Sequence, residues 1–246
     1  MQRYFVSKID NYEDIMLSED DSYHIIKVMR MSLKDKIEVV CSGVLHICEI
    51  TSLDKVVKCR VIESVLENVR KIPKVTIAQA LVKEQKMDYI LQKSTELGVF
   101  EIIPISCERS VVKPDGKETK KIERWRKVLK EASEQSKRTD IPKIERICKL
   151  DELKSLDFTH KFICSVNEKS KSIKSVLSKV DIDDKILFVI GPEGGLSEKE
   201  EKLLMESGFE AISFGDNVLR TETSSLFILS VVNYEFLRWE CVKSFK

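Results

Sequence analysis

A chain of 246 residues with 42% hydrophobic content holds one large domain or two smaller ones around ordinary cores. Its 42 basic and 41 acidic side chains leave a formal charge of +1, so the molecule as a whole does not draw nucleic acid, and any basic surface has to be a local patch. Seven cysteines, an odd number without Cys-x-x-Cys spacing, argue against a disulfide framework and a zinc finger, and the three scattered histidines read as structural rather than as metal ligands. Met1 to Asp10 lacks a secretory leader's apolar core, and no apolar run approaches the roughly 20 residues of a membrane span, which predicts a soluble cytoplasmic protein.

In chain order, Tyr4 to Val6 reads as an edge strand. Ser18 with Asp21 starts a helix that is expected to bury Ile25, Val28 and Met29, with Arg30 following that face. Ile37 to Cys41, the turn Ser42-Gly43 and Val44 to Ile50 form a hairpin, and Val56 to Ile62 adds a strand. These make a small β-rich unit of about 70 residues, consistent with a small barrel. Mixed charges from Glu63 to Lys74, ending at Pro73, mark a boundary and predict domains over 1–70 and 74–246. Beyond it the rhythm changes to strand Val75 to Leu81, helix Lys86 to Leu97 ended by Gly98, strand Phe100 to Ser106 and helix Lys117 to Lys137. Strands at Lys161 to Ser165, Ile186 to Ile190 and Phe209 to Phe214 come next. Strands alternating with helices predict an α/β domain with a mainly parallel sheet.

Two loops of this domain carry the candidate chemistry. Ile186 to Ile190 empties into Gly191-Pro192-Glu193-Gly194-Gly195, and Ser197 with Glu200 supplies a capping box for a helix ending near Gly208. The glycine loop lacks the spacing of a P-loop or a dinucleotide fingerprint, so it reads either as a tight turn or as a place where backbone amides approach a ligand. The second loop, Asp216 to Glu222, comes after Gly215 and holds Arg220, Thr221 and Glu222 ahead of the apolar helix Ser224 to Trp239. Capping by Thr221 or Thr223 accounts for the threonines, and Glu222 suits the positive helix end. Arg220 has no such reason to be there, which points to an anion or an electron-rich ligand edge. The helix is apolar nearly all round, so it is a core helix or a core helix that also packs on a second copy of the chain. Lys83, Lys86, Lys93, Arg109, Lys113 and the basic positions from Lys120 to Arg138 read as a solvated face or as a phosphate-binding ensemble.

GPEGGLS at Gly191 to Ser197 and VLRTET at Val218 to Thr223 resemble the motifs of the 16S ribosomal RNA uridine-N3 methyltransferases of the SPOUT class, the RsmE family. The resemblance extends through Gln79-Ala80-Leu81, Gln92-Lys93-Ser94, Glu96-Leu97-Gly98, Glu108-Arg109-Ser110 and Glu134-Gln135-Ser136 with Arg138. It reaches the first domain in Arg3-Tyr4-Phe5-Val6, His24-Ile25 and Val28 to Met31. It implies a PUA-like β-barrel followed by a SPOUT α/β fold with a C-terminal trefoil knot, a rare exception to unthreaded chain connections. It also implies a homodimer that uses S-adenosylmethionine, without a metal, to methylate N3 of a uridine in 16S ribosomal RNA of the small subunit.

Carried over residue by residue, the resemblance places the cofactor against Ile190, Gly191, Gly194, Phe214, Gly215, Val218, Leu219, Arg220 and Thr223. A cation beside uracil N3 favours the anion that forms there, which makes Arg220 the candidate for that role, with Glu222 as a positioning residue first and a proton acceptor second, and Arg3, Arg30, Lys93, Arg109 and Arg138 are expected to hold the RNA backbone. The chain departs from the family pattern at Glu84-Gln85, Lys34 and Ser224. Two other readings stand beside this one: a non-catalytic ribosome-assembly factor, and a SPOUT enzyme acting at another RNA position.

Overall fold

The computed structural model describes residues 1–65 and 72–236, which divide into two compact units. One comprises Met1–Val69 with Lys130–Ile141, and the other Arg70–Leu129 with Pro142–Lys246. The expected boundary near Pro73 lies beside the undescribed stretch, and the segment from Lys130 to Ile141 joins the first unit although it is distant in sequence.

The first unit is a five-stranded sheet in the order β1-β3-β4-β5-β2. β1 (Arg3–Val6) is an edge strand parallel to β3 (Lys36–Cys41). The hairpin of β3 and β4 (Val44–Leu53) turns at Ser42-Gly43, both with positive φ, and β5 (Val57–Val65) and β2 (Ile15–Met16) complete the sheet. Two register shifts between β4 and β5 bend the sheet, and Tyr4, Ile25, Ile37, Val39, Cys48, Ile50 and Cys59 pack in its core.

Ser18 caps α1 (Glu19–Tyr23) as expected, its side chain accepting from the Asp21 amide. The helix buries Ile25, but Val28 and Met29 are exposed, which corrects the expectation. The physical reason is a π-helical turn at His24–Val28, closed by the Met29 amide on the His24 carbonyl at 2.9 Å. An extra residue in that turn rotates Val28 and Met29 off the buried face.

Charge holds this unit together. Arg3 Nε donates to Glu38 at 2.8 Å and Arg3 NH1 to the carbonyls of Lys137 and Arg138 at 2.6 and 3.0 Å. Lys137 Nζ reaches the same Glu38 carboxylate at 3.0 Å. Lys130 joins Asp21 and Glu134 at 2.5 and 2.6 Å, and the Tyr4 hydroxyl meets His24 Nδ1 at 3.0 Å. The other two histidines also have structural partners, His46 with Ser64 and His160 with Asp184.

The second unit contains a six-stranded, all-parallel sheet in the order β11-β9-β10-β6-β7-β8. Its strands are β6 (Lys74–Ala80), β7 (Glu101–Ser106), β8 (Cys148–Lys149), β9 (His160–Cys164), β10 (Lys185–Ile190) and β11 (Glu210–Ile212). In β10 every residue after Lys185 is buried, as its near-continuous apolar run predicts for a strand covered on both faces. The helices are α2 (Glu84–Glu96), α3 (Glu118–Gln135), α4 (Ile173–Leu177), α5 (Glu198–Met205) and α6 (Thr221–Phe236), and α3 carries the chain from this unit into the segment that joins the first. Gly98, with φ at 87°, ends α2 as expected.

Strand β11 is shorter than the predicted Phe209 to Phe214, and α6 begins three residues before Ser224 because the Arg220 carbonyl accepts from the Thr223 and Ser224 amides. Leu237 and Trp239 of the predicted last helix lie outside the described residues. No helix among the described residues is long and apolar enough to cross a membrane.

Candidate functional site

The strand order decides where the loops meet. β9, β10 and β11 are parallel neighbours, so the segments leaving their carboxyl ends emerge on one edge of the sheet, where open α/β sheets bind ligands. There a cavity of about 820 Å³ is lined by Cys164 to Lys169 after β9, Ile190 to Leu196 after β10 and Ser213 to Thr221 after β11, with Lys86 and Arg109 closing it. All cofactor residues expected from sequence except Thr223 line this cavity, as does Arg220.

The glycine turn is shaped by close packing. A Cβ on Gly191 would lie 2.9 Å from the Leu196 amide nitrogen and 3.0 Å from the Gly195 carbonyl carbon, neither of which can yield without reshaping the turn. The turn then runs into α5 through the predicted capping box: Ser197 Oγ accepts from the Glu200 amide at 3.3 Å, and Glu200 accepts from the Ser197 amide at 2.8 Å. Glu200 also accepts from the Glu108 amide at 2.6 Å, and Glu201 accepts from Ser165 Oγ at 3.0 Å. The first turn of α5 thus holds the segments that leave β7 and β9.

Thr221 does not cap α6, one of the two expectations for this loop. Its hydroxyl donates to the Gly191 carbonyl at 2.8 Å and accepts from Gln79 Nε2 at 2.9 Å. Gln79 is fully buried in β6, so this relay ties the sheet centre, the glycine turn and the start of α6 together. Sequence reasoning did not single out Gln79 for this part; the available signal is one amide in an otherwise apolar strand. The Ser165 to Lys169 segment was missed too, because it carries no glycine signature and enters the site only through the position of β9 in the sheet.

Arg220 is exposed at the cavity, and among the described residues its guanidinium has no hydrogen bond or ion pair. Glu222 is largely buried and lies 3.4 Å from Lys86, which also holds Glu193 at 3.0 Å. Burial opposes ionisation of Glu193, but the hydrogen bond from Lys86, a backbone hydrogen bond and the nearby charges of Lys86 and Lys83 together outweigh it and keep the carboxyl below its ordinary pKa. Lys86, read from sequence as one of a basic ensemble, is therefore a cross-link between the two motif loops. Phe214 packs on Phe227 of α6 with ring centroids 5.2 Å apart, and Thr223 is exposed on the first turn of that helix.

The five arginines and lysines assigned to RNA are divided between the units, Arg3, Arg30 and Arg138 in the first and Lys93 and Arg109 in the second. Arg109 donates to the carbonyls of Gly194 and Leu196, both at 3.1 Å, and so braces the glycine turn. Arg3 is a correction: its side chain is 3% exposed and bound to Glu38 and two carbonyls, and a phosphate contact would break that set. Arg138 pairs with Asp140 at 2.7 Å, Lys93 pairs with Glu96 at 2.8 Å, and Arg30 is exposed with a positive φ of 52°.

The cavity suits a sulfonium cofactor by the chemistry of its walls. Glu168, Glu193, Glu198, Glu201 and Asp216 line it alongside Lys86, Arg109, Lys169 and Arg220, so it offers carboxylates to a cationic group as well as cations to an anionic one, and Ile190, Val218 and Leu219 offer apolar surface to a planar base. Among the described residues the Val218 and Leu219 amides have no hydrogen-bond partner and are available as donors.

Comparison with known proteins agrees with this geometry. A family model described as an RNA methyltransferase domain matches residues 70–233. The ribosomal RNA small subunit methyltransferase E of Bacillus subtilis is 39% identical, over 96% of this chain and 97% of its own. A crystal structure of the Neisseria gonorrhoeae ribosomal RNA small subunit methyltransferase E bound to S-adenosyl methionine superposes with a TM-score of 0.85 at 28% identity, over 96% of this chain and 98% of that one. A putative Legionella pneumophila methyltransferase in complex with the same cofactor gives 0.87 at 29% identity, over 95% and 97%. On these matches the chain belongs to the RNA methyltransferases and, among them, to the ribosomal RNA small subunit methyltransferase E family.

Proposed function

We propose that this protein uses S-adenosylmethionine to methylate N3 of a uridine in 16S ribosomal RNA of the small subunit. The observation that carries the reading is Arg220, an unpaired guanidinium at a cavity walled by the two family motifs. Ile190, Gly191, Gly194, Phe214, Gly215, Val218 and Leu219 would hold the cofactor, with Thr223 close by. When bound, that cofactor supplies an electrophilic methyl group.

The chain's own residues deal with the acceptor. Uracil N3 becomes nucleophilic as its proton leaves, and the charge spreads onto O2 and O4. Arg220 stabilises that charge in a partly desolvated cavity, where a preplaced cation acts strongly. The Gln79–Thr221–Gly191 relay fixes the turn on which alignment of donor and acceptor depends. Glu222, held 3.4 Å from Lys86 at the start of α6, serves as a positioning residue.

The first unit, covering the predicted 1–70 together with Lys130–Ile141, is read as a PUA-like RNA-binding barrel. The second, covering the rest of the predicted 74–246, is read as a SPOUT methyltransferase domain with a knotted cofactor site. The knot is supported by the path of the chain, which leaves β10 at Gly191, builds α5 and β11, and returns so that Thr221 bonds the Gly191 carbonyl. A homodimer is supported by α6, where Leu226, Phe227, Val231 and Phe236 are only half-buried and Tyr234 is 85% exposed beside a well-buried opposite face. Arg30, Lys93 and Arg138 remain the RNA-backbone candidates, and Arg109 acts through the glycine turn.

The test is to incubate the protein with methyl-labelled S-adenosylmethionine and unmodified small subunits and to identify the labelled nucleoside. N3-methyluridine is expected. No transfer, or label on another nucleoside, overturns the reading.

A further inference from the structure

Lys86 projects from the first turn of α2 to two carboxylates that belong to different loops. Its Nζ is 3.0 Å from Glu193 in the glycine turn and 3.4 Å from Glu222 in the first turn of α6. Among the described residues no other cation pairs with either carboxylate, and Glu222 Oε2 is buried without a hydrogen-bond donor. A lysine on a helix surface ordinarily faces water. This one is two-thirds buried and lines the cavity that holds Arg220.

The sum of charges matters there because the acceptor base turns anionic as its proton leaves. Two carboxylates without a counter-ion oppose that change by direct Coulomb repulsion, which falls off with distance. Arg220 would then offset them instead of the base.

We infer that Lys86 is a positioning residue for methyl transfer, offsetting one of the two charges of Glu193 and Glu222 so that more of the Arg220 charge is left for the forming uracil anion. The inference rests on the uridine methylation proposed above. One ammonium between two carboxylates leaves a formal charge of −1 in this group. Lys86→Met leaves −2, and adding Glu193→Gln returns the group to −1 with Glu222 untouched.

The experiment measures kcat for methylation of unmodified small subunits, with melting temperature as the folding control. Lys86→Met is expected to lower kcat about tenfold or more, and Lys86→Arg to stay within about threefold of wild type. The pair Lys86→Met with Glu193→Gln is expected to return to within about threefold, a recovery that a merely structural lysine would not permit. Wild-type kcat in Lys86→Met overturns the inference alone, and so does a double variant no faster than the single one. If Lys86→Met does not fold, the double variant decides: a rate within about threefold of wild type supports the inference, and a lower one overturns it. No transfer by the wild type overturns the reading of the site and this inference with it.

Discussion

The two units use charge in opposite ways. In the first, Arg3, Glu38 and Lys137 share one network, with Lys137 at its exposed edge, and Lys130, Asp21 and Glu134 share another. In the second, the turns around the cavity are held by a neutral relay through Gln79, Thr221 and Gly191, with Arg109 on loop carbonyls, while Arg220 is left unpaired. A satisfied charge holds structure and costs desolvation to bury. An unsatisfied one beside a cavity is available to a ligand, so an arginine's type says little about its task until its partners are known.

The sharpest way to break this comparison is to remove one arginine from each side. Arg220→Ala is expected to lower methyl transfer by about a hundredfold or more while leaving the melting temperature nearly unchanged, because the guanidinium has no structural partner among the described residues. Arg3→Ala is expected to destabilise the fold by about 3 kcal/mol in chemical unfolding, since it leaves Glu38 with Lys137 alone and takes the donor from two carbonyls. Its folded fraction should bind RNA with near wild-type affinity. A stable Arg3→Ala protein, or an unfolded Arg220→Ala protein, would reverse the assignment.

Thr221→Val tests the neutral relay. Losing the hydroxyl takes the donor from the Gly191 carbonyl and leaves the Gln79 amide with the Ala80 carbonyl alone, at about 1–3 kcal/mol. Calorimetry with S-adenosylmethionine should register it as weaker cofactor binding, and unchanged affinity would remove the relay from the site.

A smaller effect concerns pH. Burial raises the Glu38 pKa, but the bonds from Arg3 and Lys137 outweigh it, so the folded value lies below the ordinary 4.5. A depressed carboxylate contributes stability that is present above 4.5 and is lost as pH falls through the folded value. Glu38→Gln is therefore expected to flatten the acid limb of stability against pH; an unchanged limb would count against the network. Smallest of all, Lys93→Ala should leave stability within about 0.5 kcal/mol, because its pair with Glu96 is solvent-exposed, and should lower the salt dependence of RNA binding by about one counterion.

Much of the second unit was legible in the residues. The apolar run from Ile186 to Ile190, the glycine turn and the Ser197 to Glu200 capping box are local signals, and each appears where periodicity and capping chemistry put it. The π-helical turn at His24–Val28 was not legible, because one extra residue per turn leaves no mark in composition and shifts Val28 and Met29 outward. Nor was the start of α6 at Thr221, whose hydroxyl bonds a carbonyl thirty positions earlier in the chain.

By itself the sequence determined the alternation of strands and helices, the two loops that walled the candidate site, and through their motifs the family. Those are consequences of neighbours along the chain, where backbone preference and side-chain spacing act over a few residues. Tertiary structure alone decided that β9 stands between β10 and β11 and brings Ser165 to Lys169 into the cavity. It also decided that Lys86 joins the two loops, that Arg3 is buried and that Arg220 is free. The reason is that a charged side chain takes its role from what lies within a few ångströms, and those partners come from segments that only folding brings together.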